Sequence, residues 1–242
     1  MKKVFSFITI IFICILSSCG KINIDDILEQ AISETVASNI FITSTSRDGA
    51  LFYNNTGSGV IFHEDEEYYY FLSCNHVTYL VSGYSDVTYS IMDYDSNYYY
   101  DIEVIHMDPD YDLSVGKFIK GNIELEVVEF AENSDYDKEY VIAIGNPNYN
   151  FNVVTLGYSY GYKSAPTYNN PNILASNVTF DVLLHNAEIS NGSSGGGLYN
   201  TDLELIGINY AGITKDGSFY CGYAVGIEEV NTFLDNHFWN SI

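Results

Sequence analysis

Basic residues are scarce in this sequence. Nine Lys plus Arg stand against 32 Asp plus Glu in 242 residues, a formal net charge of −23. A surface of that sign repels polyanions, so nucleic acid and anionic lipid headgroups are excluded as partners. It suits solubility and an attraction for cationic polypeptides. No apolar run is long enough to span a bilayer comfortably. There is also no repeat at a fixed period, no heptad pattern and no low-complexity tract, which excludes solenoids, coiled coils and a disordered chain. What is abundant is aromatic: hydrophobic residues make up 47% and aromatics 16%, with 23 Tyr. That composition suits many short, half-buried strands, and the length suits one all-β domain plus a leader.

The leader is the first eighteen residues. Lys2 and Lys3 supply a positive start, and Val4 to Leu16 is an apolar run broken only by Ser6 and Thr9. It ends in Leu16-Ser17-Ser18-Cys19-Gly20, which resembles the lipobox of bacterial lipoproteins. The resemblance implies cleavage before Cys19 and acylation of its thiol, so residues 1–18 are expected to be a lipoprotein signal peptide. More than one acyl chain would then hold the protein on a membrane. The mature charge becomes 7 minus 32, or −25. Cysteine is scarce as well. Cys14 leaves with the leader and Cys19 carries lipid, so only Cys74 and Cys221 remain. One disulfide is possible outside the cytoplasm, but both residues sit in apolar, strand-like sequence and read as buried free thiols.

Beyond the tether, apolar residues recur at helical spacing within Asp25 to Ser38, predicting a helix in the segment 19–38. Short apolar and aromatic runs then alternate with Gly, Asn, Asp and Pro: Ile40 to Thr43, Gly59 to His63, Tyr68 to Ser73, Val87 to Met92, Tyr98 to His106 and Leu113 to Phe118. After the polar stretch Glu132 to Lys138 come Tyr140 to Ile144, Val153 to Tyr162, Phe180 to His185, Gly196 to Tyr199, Glu204 to Tyr210 and Tyr220 to Gly226. A closing helix is expected over 228–239. Two strand sets of comparable size predict two six-stranded β-barrels, about 39–131 and 139–227, with a cleft between them.

The segment Asn191-Gly192-Ser193-Ser194-Gly195-Gly196-Gly197-Leu198 is a glycine-dense turn that runs straight into an apolar strand. A nucleophile needs an exposed hydroxyl beside unpaired backbone amides that can receive a developing oxyanion, and glycine lets the backbone bend and approach. Taken alone, the segment also fits a flexible Gly/Ser loop. A hydroxyl is a poor nucleophile without a base. His76 ends the aromatic strand Tyr68 to Ser73 and can deliver a partly buried imidazole. His63 borders the acidic run Glu64-Asp65-Glu66-Glu67 and reads as solvated, His237 lies in the closing helix, and His185 reads as a strand-end packing residue. Asp112 opens the apolar strand Leu113-Ser114-Val115-Gly116, where burial suits a carboxylate that orients an imidazole. Asp101 is a reserve for that role. Asp108, Asp110 and Asp112 alternate like a calcium loop, but Leu113 stands where Gly is required and Ile119 where Glu is required, so no metal is expected there.

The order His, Asp, Ser is that of chymotrypsin-type proteases. Six ordered segments resemble the HtrA/Deg branch of the trypsin-like proteases: Gly57-Ser58-Gly59-Val60-Ile61, Asn75-His76-Val77, Asp112-Leu113-Ser114-Val115, Ala143-Ile144-Gly145-Asn146-Pro147, Gly192-Ser193-Ser194-Gly195-Gly196 and Ile206-Gly207-Ile208-Asn209. The resemblance covers roughly residues 30–232. It implies a protease domain over 39–242, with Ser194 as nucleophile, His76 as general base and then acid, and Asp112 as its orienter. The amides of Gly192, Ser193 and Ser194 would form the oxyanion hole. Asn209, Tyr210 and Ala211 would pair with the substrate main chain as an added strand. Ile189 and Tyr210 to Ile213 would line the S1 pocket and favour small or medium apolar side chains, while Glu188 raises the rival expectation of a basic P1. No cofactor or metal is implied; the expected partners are polypeptide substrates and, through lipid, the bacterial cell envelope.

The sequence departs from the pattern at three places. Ser193 stands where digestive enzymes have Asp, so activation by a new N-terminus is not expected. Gly197 stands where Pro is common. About ten residues follow the last matched strand, so no PDZ domain is expected. A glutamyl endopeptidase would share the fold, but that reading ranks lower because such enzymes resemble one another in having His where this chain has Asn209. The alternative class is a trypsin-fold lipoprotein without turnover, acting as an adhesin or chaperone module.

Overall fold

The computed structural model describes residues 23–122, 124–166 and 176–240. The leader and Cys19 lie outside these residues. Helix α1 (Ile24–Ser33) opens them, with Asp25 and Asp26 in its first turn, where carboxylates complement the helix dipole, and Ala31 buried. It is shorter than the periodicity predicts. At Thr35-Val36 the chain tightens into a single 3₁₀ turn (Thr35–Ser38), because β-branched side chains crowd a continuing α-helix.

The first sheet comprises β1 (Asn39–Asp48), β2 (Leu51–Glu64), β3 (Tyr68–Ser73), β4 (Asp86–Met92), β5 (Tyr98–Tyr99), β6 (Ile102–Asp108) and β7 (Leu113–Ile119), in the order β5-β4-β1-β2-β3-β7-β6. Its seventh strand arises because exposed Tyr100 and Asp101 split the run Tyr98 to His106 into β5 and β6. The second sheet is a closed six-stranded barrel of β8 (Asp137–Gly145), β9 (Val153–Ser164), β10 (Asp181–His185), β11 (Gly197–Tyr199), β12 (Leu205–Lys215) and β13 (Ser218–Gly226), in the order β10-β13-β12-β11-β8-β9. The all-β, double-barrel expectation holds, with the first unit a curled open sheet. A four-residue helix, α2 (Asn75–Thr78), follows β3, and α3 (Ile227–His237) closes the chain.

Inward side chains of the two sheets form the cores: Ile40, Ile42, Val60, Phe71, Leu72, Val115 and Phe118 in the first, and Val141, Ala143, Leu183, Leu198, Ile206 and Ala224 in the second. The β1–β2 hairpin reaches further than predicted. Leu51, Phe52 and Tyr53 are all exposed there, so no alternation of polarity announces that part of β2. Cys74 and Cys221 are both free and buried. His63 is half-buried rather than solvated, because its ring packs 5.3 Å from that of Trp239 and 5.4 Å from that of Tyr70.

Candidate active site

Strand β3 ends at Ser73, and the short α2 turns His76 into the space between the sheets. Asp112 meets it from the loop joining β6 to β7. Its backbone sits in the left-handed region at φ 51°, and its side chain is completely buried. Nδ1 of His76 lies 2.8 Å from Oδ2 of Asp112, and the His76 amide donates to Oδ1 at 3.0 Å. Two contacts to one carboxylate fix both the position and the plane of the imidazole. Burial disfavours the imidazolium, but the Asp112 charge and hydrogen bond outweigh it, so the His76 pKa is raised above its ordinary value of 6.5. Asn55 on β2 adds a further hold by donating its side-chain amide to the His76 carbonyl at 2.5 Å.

Ser194 arrives from the second barrel. Its turn is built on Gly192 (φ 99°) and Gly195 (φ 88°), both in the region that glycine adopts without strain. A Cβ at Gly192 would lie 2.5 Å from the Asn146 carbonyl oxygen. The Ser193 amide donates to the Ser190 carbonyl at 2.8 Å and closes the turn. That bond corrects the expected oxyanion set: Ser193 spends its N–H inside the turn, while the amides of Gly192 and Ser194 donate to no group among the described residues. The Ser194 hydroxyl lies 3.5 Å from the Tyr210 carbonyl oxygen. His76, Asp112 and Ser194 all line one cavity of about 460 Å³, together with Ile189, Tyr210, Ala211 and Gly212.

Two substrate-binding expectations are corrected. Glu188 is exposed and faces away from this cavity, lining instead a small recess with Ala143, Pro147 and Val153. The physical reason is parity: Ala187 and Ile189 point inward in the extended segment, so Glu188 between them points out. Asn209 is fully buried, and its main chain is engaged, its carbonyl by the Gly195 amide at 2.8 Å and its amide by the Gly196 carbonyl at 2.9 Å. Its side chain donates to the Gly196 and Gly197 carbonyls at 3.2 and 3.0 Å. Asn209 therefore braces the serine turn and does not face the cleft. Beyond it, β12 pairs with β13 through Ala211 and Gly212 but no longer with β11, whose register ends at Ile208 among the described residues.

The exposed Asp101 stands outside the cavity lining. Asp108, Asp110 and Asp112 do not converge, since Asp112 is turned to His76 while Asp108 accepts the Asp110 amide at 2.8 Å. His185 is wholly buried against Gly222, and burial pushes its pKa down to about 4, which fits packing. The sequence reading assigned no role to Ser58. Its hydroxyl donates to the Gly192 carbonyl at 2.7 Å and accepts from the Asn146 amide at 2.9 Å, and its own amide donates to the Ser194 carbonyl at 2.7 Å. One β2 residue thus ties the first sheet to both sides of the serine turn. The only signal for it was its place in the segment Gly57-Ser58-Gly59.

An imidazole held by a buried carboxylate, beside a serine on a glycine turn in a cleft between two β-sheets, is the arrangement of a chymotrypsin-type hydrolase. The chain belongs to the trypsin-like peptidase domain family, whose model matches residues 57–208 and so includes His76, Asp112 and Ser194. It is 30% identical over 201 residues to "Serine protease Do-like HtrA" of Bacillus subtilis, covering 82% of this chain and 42% of that protein. It is also 30% identical over 181 residues to "Serine protease Do-like HtrB" of the same organism, covering 74% and 37%. The chain thus spans about two fifths of the length of these relatives. Its fold is similar to the active-form crystal structure of the Rv3671c protease from M. tuberculosis, with a TM-score of 0.69 at 18% identity, covering 98% of this chain and 94% of that one.

Proposed function

We propose that the chain is a serine endopeptidase that hydrolyses extracytoplasmic polypeptides through an acyl-enzyme on Ser194. The observation that carries this reading is the 2.8 Å contact between His76 Nδ1 and Asp112 Oδ2, made on the wall of the cavity that Ser194 also lines. Asp112 keeps the proton on Nδ1, which leaves Nε2 as the basic nitrogen. The Ser194 hydroxyl gives its proton to Nε2 as its oxygen attacks the scissile carbonyl. The oxyanion is received by the Gly192 and Ser194 amides. His76 then returns the proton to the leaving amine, and water releases the acyl group by the same route. The substrate main chain lies along β12 where Tyr210, Ala211 and Gly212 line the cavity, and Ile189 and Ala211 give the P1 pocket an apolar wall suited to small or medium side chains.

The lipobox-like Leu16-Ser17-Ser18-Cys19 supports a signal peptide over 1–18 and a lipid anchor at Cys19, placing the protease on the outer face of a bacterial membrane. Among the described residues no helix is long and apolar enough to cross one. The test is a fluorophosphonate probe applied to cells that express the full chain. The protein is expected to label and to sediment with membranes, Ser194→Ala to lose the label, and Cys19→Ala to label while released from the membrane. Equal labelling of the parent and Ser194→Ala removes Ser194 as nucleophile; a parent that never labels leaves a trypsin-fold binding module.

A further inference from the structure

A second group of chemically capable side chains lies where α3 docks on β6. His106 and Asp108 are two positions apart on β6, so strand alternation sets both on one face. The last turn of α3 brings His237 over them. The two imidazoles stack with centroids 3.8 Å apart and planes within 9°, and Nε2 of His237 lies 3.5 Å from Oδ2 of Asp108. One donor atom from each of the three residues falls within 4.8 Å of the other two, and all three residues are half-buried. Phe233 packs beside both rings, at 6.1 Å from His106 and 5.2 Å from His237.

We propose that His106, Asp108 and His237 bind a first-row transition-metal dication, with Zn²⁺ the best match, and that the ion clips α3 to β6. Three points within 4.8 Å of one another share a centre less than about 3 Å from each, against about 2.0–2.2 Å for Zn–N and Zn–O bonds. Binding requires the two rings to unstack, each turning about its Cβ–Cγ bond to aim one nitrogen at the shared centre. Two imidazole nitrogens and one carboxylate oxygen suit zinc, nickel, cobalt or copper, whereas calcium and magnesium want oxygen alone. Half-burial leaves a side open for the water that completes a three-ligand site. The carboxylate is already steadied from behind, since the Asp110 amide donates to Oδ1 of Asp108 at 2.8 Å and leaves Oδ2 facing His237. The formal charge of −23 draws cations to the whole surface.

Cys74, His76 and Asp112 also place donor atoms within 4.8 Å of one another, so zinc could be captured in the cleft instead. The experiment therefore uses the full chain carrying His76→Ala. Titration calorimetry with ZnCl₂ is expected to show one ion per chain, and the unfolding midpoint to rise by about 5 °C or more at roughly 100-fold excess over Kd. His106→Gln or His237→Gln, each placed in that background, should weaken binding at least about tenfold. The Cu²⁺ electron paramagnetic resonance spectrum of the His76→Ala protein should show coupling to two nitrogens. That readout needs neither glutamine variant to fold. A His76→Ala protein that takes up no stoichiometric zinc, a copper spectrum without nitrogen coupling, or undiminished binding in both glutamine variants would each overturn the proposal.

Discussion

Asp112 holds a backbone angle that non-glycine residues rarely adopt, and it does so with a carboxylate that is completely buried. Three interactions maintain it: the His76 ring, the His76 amide, and the Asn75 amide, which donates to the Asp112 carbonyl at 3.2 Å. Asp112→Asn keeps most of this shape while removing the charge. The neutral amide can present its NH₂ to Nδ1 and so favour the wrong tautomer, which should lower kcat/KM by about 10⁴. The pH profile tests the cause. In the parent, the raised His76 pKa sets the acid limb of kcat/KM above pH 6.5, because the base works only unprotonated and activity is lost as pH falls through that value. Without the Asp112 charge, burial alone acts on the imidazole and pulls its pKa down, so the acid limb of the residual activity should move to lower pH. An unmoved limb, measured with a fluorogenic peptide across the acid range, would mean that Asp112 does not tune His76.

Ser58 makes the corresponding point for strands. It is fully buried on β2, and its hydroxyl donates to the Gly192 carbonyl. Holding that carbonyl fixes the peptide between Gly192 and Ser193, and through it the two flanking peptides that carry the Gly192 and Ser194 amides of the proposed oxyanion pair. Ser58→Ala leaves the Gly192 carbonyl and the Asn146 amide without this partner. The expected stability loss is about 1–3 kcal/mol. Turnover should fall by about 10²-fold with KM nearly constant, since an oxyanion donor acts in the transition state rather than on bound substrate. Steady-state kinetics at a temperature where the variant is folded separates the two effects; a rise in KM with kcat intact would place Ser58 in substrate binding. Elements and support differ in how far the sequence reveals them. Strands such as β3, β7 and β8 are legible because apolar residues cluster between turn residues, and Ser194, His76 and Asp112 each stand at a strand end with a local chemical reason to be there. Ser58 is a small polar residue within an apolar strand, and its task depends on partners 88 and 134 positions away that no local pattern encodes. Glu188 misled for a related reason: its spacing from Ser194 was visible, but the direction of its side chain depends on the parity of the segment around it.

At the scale of the molecule, the last helix matters more than its length suggests. α3 follows directly on the second barrel, yet its end packs on the first sheet. Phe238, just beyond it, meets Phe62 at 5.0 Å, Tyr70 at 5.2 Å and His63 at 5.9 Å, while Phe233 reaches Tyr111 at 5.9 Å. Both phenylalanines are fully buried. Ser58 and Asn146 join the sheets at the cleft, and α3 joins them through apolar contacts elsewhere, so the two sheets should unfold together. Phe238→Ala removes a buried aromatic ring and should cost about 3–5 kcal/mol. For a chain of this size, that lowers the unfolding midpoint by about 10 °C. The rings that Phe238 meets, Phe62, His63, Tyr70 and Trp239, all stand outside the cleft lining, so turnover at 20 °C should stay within about twofold of the parent, and calorimetry should still show one transition. Two transitions in the variant would mean that α3 is the principal link between the sheets and that the cleft contacts alone cannot hold them together. A twofold-plus loss of turnover with the midpoint unchanged would mean that the helix acts on the geometry of the cleft and not on its stability.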